Sequence, residues 1–159
     1  MDFVWSPWRY RYVSSDHDSD RCVFCIEEDG QSDEERLVVH RGRTSFVILN
    51  RYPYTSGHLL VVPYRHVDSV SDATEDEMAE VISLARHSVG ILTNLYSAEG
   101  FNVGMNLGGC AGAGIRDHIH MHVVPRWWGD VNFMTTTGET RVLPEDLRTS
   151  YRRIRPLFP

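Results

Sequence analysis

The order of patterns along the chain predicts an α+β domain: a mostly antiparallel sheet of about five strands, packed by one long helix, with a second helix near the C-terminus. Three observations carry this prediction. Short β-branched runs fill the first half of the sequence, a long stretch with helical apolar spacing follows, and two more strand-like runs flank a glycine-rich segment before a final helical stretch. With 159 residues, 42% hydrophobic and 24% charged, the chain suits one core and is read as a single domain over 1–159.

Residues 1–35 read as an irregular segment: an aromatic opening, the run SSDHDSD, the pair Cys22-x-x-Cys25, and an acidic stretch. Arg36–His40 and Ser45–Leu49 are β-branched runs separated by RGRT, which predicts a hairpin. Asn50 to Gly57 is rich in turn formers, and His58–Pro63 is apolar enough for a central strand. Asp72 or Thr74 can cap a helix running to about Tyr96, with Met78, Val81, Ile82, Leu84, Ala85, Val89, Ile91 and Leu92 as its apolar face. Phe101–Leu107 reads as a strand, 108–114 as a glycine-rich loop, His118–Pro125 as a further strand, and Leu143 to about Leu157 as a helix with Pro144 in its first turn.

Composition restricts the function. A formal charge of −6 argues against a broad nucleic-acid surface, which would be basic. All 16 basic residues are arginine, so neither Schiff-base nor P-loop lysine chemistry is available. No apolar run approaches the roughly 20 residues that cross a bilayer. The opening MDFVWSPWRYRYV lacks the apolar core of a signal peptide, and the reading is a soluble, cytoplasmic protein with no membrane partner. Cys22, Cys25 and Cys110 are too few and too unevenly spaced for a secreted disulfide framework. Cys22-x-x-Cys25 instead reads as half a metal site or a redox pair, with spacing suited to two corners of a tetrahedral zinc.

The chemistry concentrates at His118, His120 and His122. Strand side chains alternate faces, so these imidazoles share one face while Ile119, Met121 and Val123 share the other. Three aligned imidazoles can bind one metal, form a nucleophile with its orienting partners, or pack without chemistry. Buried imidazoles need hydrogen-bond partners, which makes an inert stack of three costly. The loop containing Gly108, Gly109, Gly112 and Gly114 feeds directly into the histidine strand. Its main-chain N–H groups can approach a phosphate closely, and this sets an anion cradle beside a nucleophile.

The run AGAGIRDHIHMHVVPRW resembles the His-x-His-x-His signature of the histidine-triad nucleotide hydrolases and transferases. The similarity extends to FVILNRYPYTSGHLLVVPYRHV, which looks like that family's nucleotide-binding strand, turn and strand, and to FNVGMNLG and GDVNFM. These last two look closest to the branch acting on dinucleoside polyphosphates, including bacterial diadenosine tetraphosphate phosphorylases. The resemblance implies the histidine-triad fold, His120 as nucleophile, and His122 as a contact to phosphate or leaving group. It also implies Asn50 at the ribose, Asn106 beside the phosphates, and Gly112, Ala113 and Gly114 as the phosphate-contacting turn. Many relatives carry a Ser or Thr hydroxyl in that turn, whereas this chain offers Ala113, Gly114 and Ile115, so main-chain donors must do more of the holding. For the metal, the resemblance points to His66 and His118 as partners of Cys22 and Cys25 around a structural zinc, and it implies a homodimer. No organic cofactor is expected.

Imidazole is a usable nucleophile near neutral pH because its ordinary pKa is about 6.5. One nitrogen of His120 must keep its proton on a fixed acceptor, expected to be a carbonyl of its own strand, leaving the other to attack the α-phosphate. Water or inorganic phosphate then resolves a nucleotidyl-histidine. Hydrolysis and phosphorolysis share that intermediate. The competing readings are a hydrolase of nucleoside phosphoramidates or related nucleotides, a hydrolase with the triad as catalytic metal site, and a non-catalytic nucleotide-binding protein. His58 is either a partner of the triad or a hydrogen-bonded sheet residue. Trp127 and Trp128 either border a base, close a dimer or pack in the core.

Overall fold

In the computed structural model, residues 22–26, 31–130 and 145–159 are described. The elements are α1 (Asp33–Arg36), β1 (Val38–Arg41), β2 (Ser45–Leu49), β3 (Leu59–Pro63), α2 (Glu75–Tyr96), β4 (Gly100–Met105), β5 (Met121–Arg126) and α3 (Leu147–Ile154). The strands form one sheet in the order β1-β2-β3-β5-β4, every pairing antiparallel. The α+β expectation of five strands, one long helix and a C-terminal helix is met.

All five residues of β2 and of β3 are buried, as a central hydrophobic run requires. The long helix α2 begins where Thr74 accepts the N–H of Glu77 and the Glu77 carboxylate accepts the N–H of Thr74, a reciprocal capping box. Three acidic residues in its first turn add favourable interaction with the helix dipole. Val81, Ala85, Ser88, Ile91 and Leu92 form the buried stripe, and α2 packs on β2, β3 and β5. Ile82, expected on this face, is 54% exposed, because its neighbour Val81 takes the inward direction and one helical step turns the side chain by about 100°. Ile154 and Phe158 close the core from the C-terminal end.

Beyond shifts of one or two residues at β1, β3, β4 and the end of β5, three boundaries differ from the sequence reading. A short helix, α1, stands in the segment read as irregular. Its signal is the Ser32-x-x-Glu35 capping box, and Leu37 ends it in the left-handed region at φ 68°. The C-terminal helix starts at Leu147, where the Asp146 side chain accepts the N–H groups of Arg148 and Thr149; Leu143 and Pro144 lie outside the described residues. The strand expected from His118 starts only at Met121. The register Leu59↔Val123, Val61↔Met121 would set Ile119 opposite Pro63, which has no N–H to give the ladder. Ile119 instead donates its N–H to the Val67 carbonyl at 2.7 Å.

Candidate active site

The three histidines leave a segment that is half strand and half connection, yet their surroundings are continuous. The rings of His120 and His122 lie 5.0 Å apart, edge to face. Phe24 touches two of the three rings, with centroids 5.6 Å from His118 and 5.0 Å from His120.

Partners of fixed polarity set the tautomer of each imidazole. His120 Nδ1 is 2.9 Å from the His118 carbonyl oxygen, which can only accept, so Nδ1 carries the proton and Nε2 is bare. His118 donates from Nε2 to the Pro63 carbonyl at 2.9 Å, leaving its Nδ1 bare. The carbonyl of Pro63 thus orients an imidazole at the point where its ring nitrogen ends the ladder. His58, fully buried, accepts the Tyr54 N–H on Nδ1 at 3.1 Å, with Asn50 Nδ2 at 3.3 Å on the same atom. Its Nε2–H therefore donates to His122 Nδ1, 2.9 Å away, and His122 keeps its own proton on Nε2. The Asn50 amide is oriented for this by its Oδ1, which accepts the Tyr52 N–H at 2.9 Å.

Burial keeps this cluster neutral. Desolvation, then the neighbouring His122 and His120, push His58 down to about 3. His120 is held below the ordinary imidazole value chiefly by burial, against the opposing hydrogen bond to the His118 carbonyl. His118 is lowered in the same way, against its bond to Pro63.

On the other side of His118 the thiols gather. Cys22 Sγ lies 3.3 Å from His118 Nδ1, and Cys25 Sγ lies 3.3 Å from His66 Nδ1 and 4.0 Å from His118 Nδ1. All four donor atoms fall within 4.8 Å of one another. A tetrahedral zinc with bonds of about 2.0–2.3 Å needs its donors roughly 3.5 Å apart, and the bare Nδ1 of His118 is the form that can ligate. Cys22 and Cys25 are joined by a tight turn in which the Cys25 N–H meets the Cys22 carbonyl and the Phe24 N–H meets Cys22 Sγ. Two thiols and two imidazoles in this arrangement fit a zinc ion.

The glycine loop is a 3₁₀ turn, Gly109–Ala111, flanked by Gly108 and Gly112 in the left-handed region at φ 79° and 88°. Closing the turn uses the Gly112 N–H on the Gly109 carbonyl and the Ala113 N–H on the Gly108 carbonyl. Of the turn expected to contact phosphate, Gly112 and Ala113 thus spend their N–H groups on loop carbonyls, whereas among the described residues the Gly114 N–H has no backbone acceptor. Asn106 and His122 line one open cleft of about 510 Å³ together with Tyr54 and Gly104. Gly104 pairs with His122 across the ladder, and a Cβ there would enter open space beside the imidazole. Trp127 donates Nε1–H to the Tyr96 carbonyl, whereas Trp128 is 91% exposed and therefore not a core residue.

The HIT domain family matches residues 31–127, which span β1 to the end of β5 and include all three histidines. The chain belongs to the HIT family of histidine-triad proteins. An AP-4-A phosphorylase of Mycobacterium tuberculosis is 42% identical over 156 residues, covering 94% of this chain and 80% of that protein. An asymmetrical bis(5'-nucleosyl)-tetraphosphatase of Schizosaccharomyces pombe is 32% identical over 89 residues, 56% of this chain and 48% of the relative. Among solved structures, a Zn-bound histidine triad family protein of Mycobacterium smegmatis superposes with TM-score 0.69 and 29% identity, covering 86% of this chain and 91% of that one.

The fold thus brings Cys22, Cys25, His66 and His118 into one cluster, His120 and His122 into ring contact, Asn50 onto His58, and Asn106 into the His122 cleft. Sequence reasoning left His58 undecided; its position on β3's approach, in phase with no visible pattern, carries no signal of the bond to His122. Phe24 went unremarked because only the tertiary structure sets it against two imidazoles.

Proposed function

We infer that this HIT protein is an enzyme that cleaves dinucleoside polyphosphates of the diadenosine tetraphosphate type through a covalent nucleotidyl-His120 intermediate. The observation that carries the reading is the hydrogen bond from His120 Nδ1 to the His118 carbonyl, which leaves Nε2 as an unprotonated nucleophile in a dry setting. The names of the phosphorylase and tetraphosphatase relatives support the substrate class.

His120 Nε2 attacks the α-phosphorus in line, the N–P bond forms, and the bond to the bridging oxygen breaks. His122, protonated on Nε2, donates to the phosphoryl or leaving oxygen, and His58 holds it in that tautomer. The Gly112–Gly114 turn receives the phosphoryl charge through main-chain donors, with Gly114 offering an amide not used within the loop. Asn106 lines the phosphate end of the cleft. Asn50 reaches the ribose from the position where it also steadies His58. Water or inorganic phosphate then attacks phosphorus and releases His120.

Cys22, Cys25, His66 and His118 would hold a zinc ion, which orders the N-terminal segment against the triad; with four protein ligands such a site is closed to substrate. Homodimerisation is supported by β4, an edge strand whose Val103, followed by Leu107, is exposed. Cytoplasmic residence agrees with a CxxC pair not joined in a disulfide, and among the described residues no helix is long and apolar enough to cross a membrane. The described residues share one core and suit one domain.

The test is substrate turnover by His120→Ala with diadenosine tetraphosphate. Expected is a loss on the order of 10⁴-fold or more with nucleotide binding retained, and an acid-labile nucleotidyl adduct on the wild-type chain only. Wild-type turnover by the variant rejects the reading. ADP formed only on phosphate addition identifies phosphorolysis, and AMP formed without it identifies hydrolysis.

A further inference from the structure

Among the described residues, Phe24 joins the two halves of this site by a side chain, beside His118, which joins them through its ring and its carbonyl. It is carried in the turn between Cys22 and Cys25, and its N–H contacts Cys22 Sγ at 3.4 Å. Its ring, only 5% exposed, lies edge-on against His118 and tilted against His120. Among the described residues the His120 ring has one hydrogen bond to orient it, the Nδ1–H donated to the His118 carbonyl, and rotation about that bond would swing Nε2 off the line of attack. Two aromatic rings pack on it and oppose such rotation: His122 at 5.0 Å and Phe24 at 5.0 Å.

We propose that Phe24 is a positioning residue for the His120 imidazole, and that the Cys22–Cys25 clamp controls the rate of nucleotidyl transfer through this ring. The proposal rests on His120 being the nucleophile. It gives the Cys22/Cys25/His66/His118 cluster a role in turnover that requires no chemistry at a metal. Loss of the clamp frees the knuckle, the Phe24 ring withdraws, and His120 loses one wall. A displacement of about 1 Å at a reacting atom is enough to cost on the order of 10²-fold in rate.

The experiment uses the full-length, metal-loaded protein and the variants Phe24→Leu and Phe24→Ala, with Phe158→Ala as the control. Phe158 is equally buried but its ring stacks on His40, away from the triad. Phe24→Leu keeps apolar bulk and folding; it is expected to lower kcat roughly three- to tenfold, and Phe24→Ala roughly ten- to 100-fold, with KM changed less than twofold. Phe158→Ala is expected to lower the melting temperature by as much while leaving kcat within twofold. Chelation of the wild type is expected to lower kcat by about the factor seen in Phe24→Ala, and chelation of Phe24→Ala to add nothing further, the non-additivity that marks a shared route. Independently of activity, the His120 ring proton resonances are expected to shift on chelation of the wild type and to stay in place on chelation of Phe24→Leu. Unchanged kcat in Phe24→Leu and Phe24→Ala, or equal losses on chelation with and without the ring, overturns the proposal. Failure to trap any nucleotidyl adduct on the wild type would instead remove the nucleophile assignment, so the two failures are distinguishable.

Discussion

The two outer histidines of the triad sit two residues either side of His120 and hold the same tautomer, yet the fold engages opposite nitrogens of each. His118 gives its Nε2–H to the Pro63 carbonyl and turns a bare Nδ1 towards Cys22, Cys25 and His66. His122 accepts the His58 Nε2–H on Nδ1 and keeps its own proton on Nε2. The same side chain in one repeating motif thus points its bare nitrogen at a thiol cluster at one end and at a buried imidazole at the other. A main-chain carbonyl decides the first and a chain of hydrogen bonds from Tyr54 and Asn50 through His58 decides the second. Identity and spacing therefore do not assign a histidine's role; the polarity of its partner does.

This comparison is broken most severely at the His122 end. His122→Ala is expected to lower kcat on the order of 10²- to 10³-fold while moving the melting temperature little, measured by steady-state kinetics and thermal unfolding on the same samples. His118→Ala is expected to reverse the balance: a clear fall in melting temperature and loss of tight zinc binding, with a smaller loss of kcat through Phe24. If both variants lose activity equally at unchanged stability, the division of labour is wrong.

A pH series sharpens the same contrast. His58 titrates at about 3 in the folded chain against 6.5 when unfolded, so its contribution to stability is full above pH 6.5 and is lost as pH falls from 6.5 towards 3. His58→Phe is expected to make the fall in unfolding free energy with acid shallower by close to one proton in that window, as read from denaturant curves. His118 and His120, lowered in the same direction, keep the remaining slope.

The smallest effect lies outside the triad and tests that the acid response is local. Glu77 is held down to about 2, first by its hydrogen bonds from Arg65 and then, against the cost of burial, by its capping contacts with Thr74. Its stabilisation is present above pH 4.5 and is lost as pH falls from 4.5 to 2. Glu77→Gln is expected to flatten that lower window, cost roughly 1 kcal/mol at pH 7 through the lost charge on the bonds from Arg65, and leave kcat unchanged.

Much of this was legible beforehand, for reasons that differ from element to element. Ser45–Leu49 is read with correct limits, and Thr74, one of two cap candidates with Asp72, starts the helix that ends at Tyr96, because a β-branched run and a capping residue are local signals. The strand expected from His118 starts three residues too early because alternation continues through His118 and Ile119, while the absence of a Pro63 N–H on a neighbouring strand stops the ladder. The short helix at Asp33–Arg36 was missed although its capping box is written in Ser32 and Glu35. In the glycine loop, the pattern predicted the turn, but which amides it spends on its own carbonyls followed only from the 3₁₀ closure.

The chain by itself determined the chemical inventory: imidazoles in place of lysine, a thiol pair at ligand spacing, glycines where a main chain must bend left-handed, and a period-two array of histidines. Those are properties of residue type and of short-range periodicity, which the covalent order carries completely. The tertiary structure decided which nitrogen of His118 and of His122 holds its proton, that His58 belongs with His122, and that Phe24 joins the thiols to His120. Each of these depends on groups far apart in sequence meeting in a dry interior, where a single carbonyl or amide is enough to choose between two otherwise equivalent ring atoms.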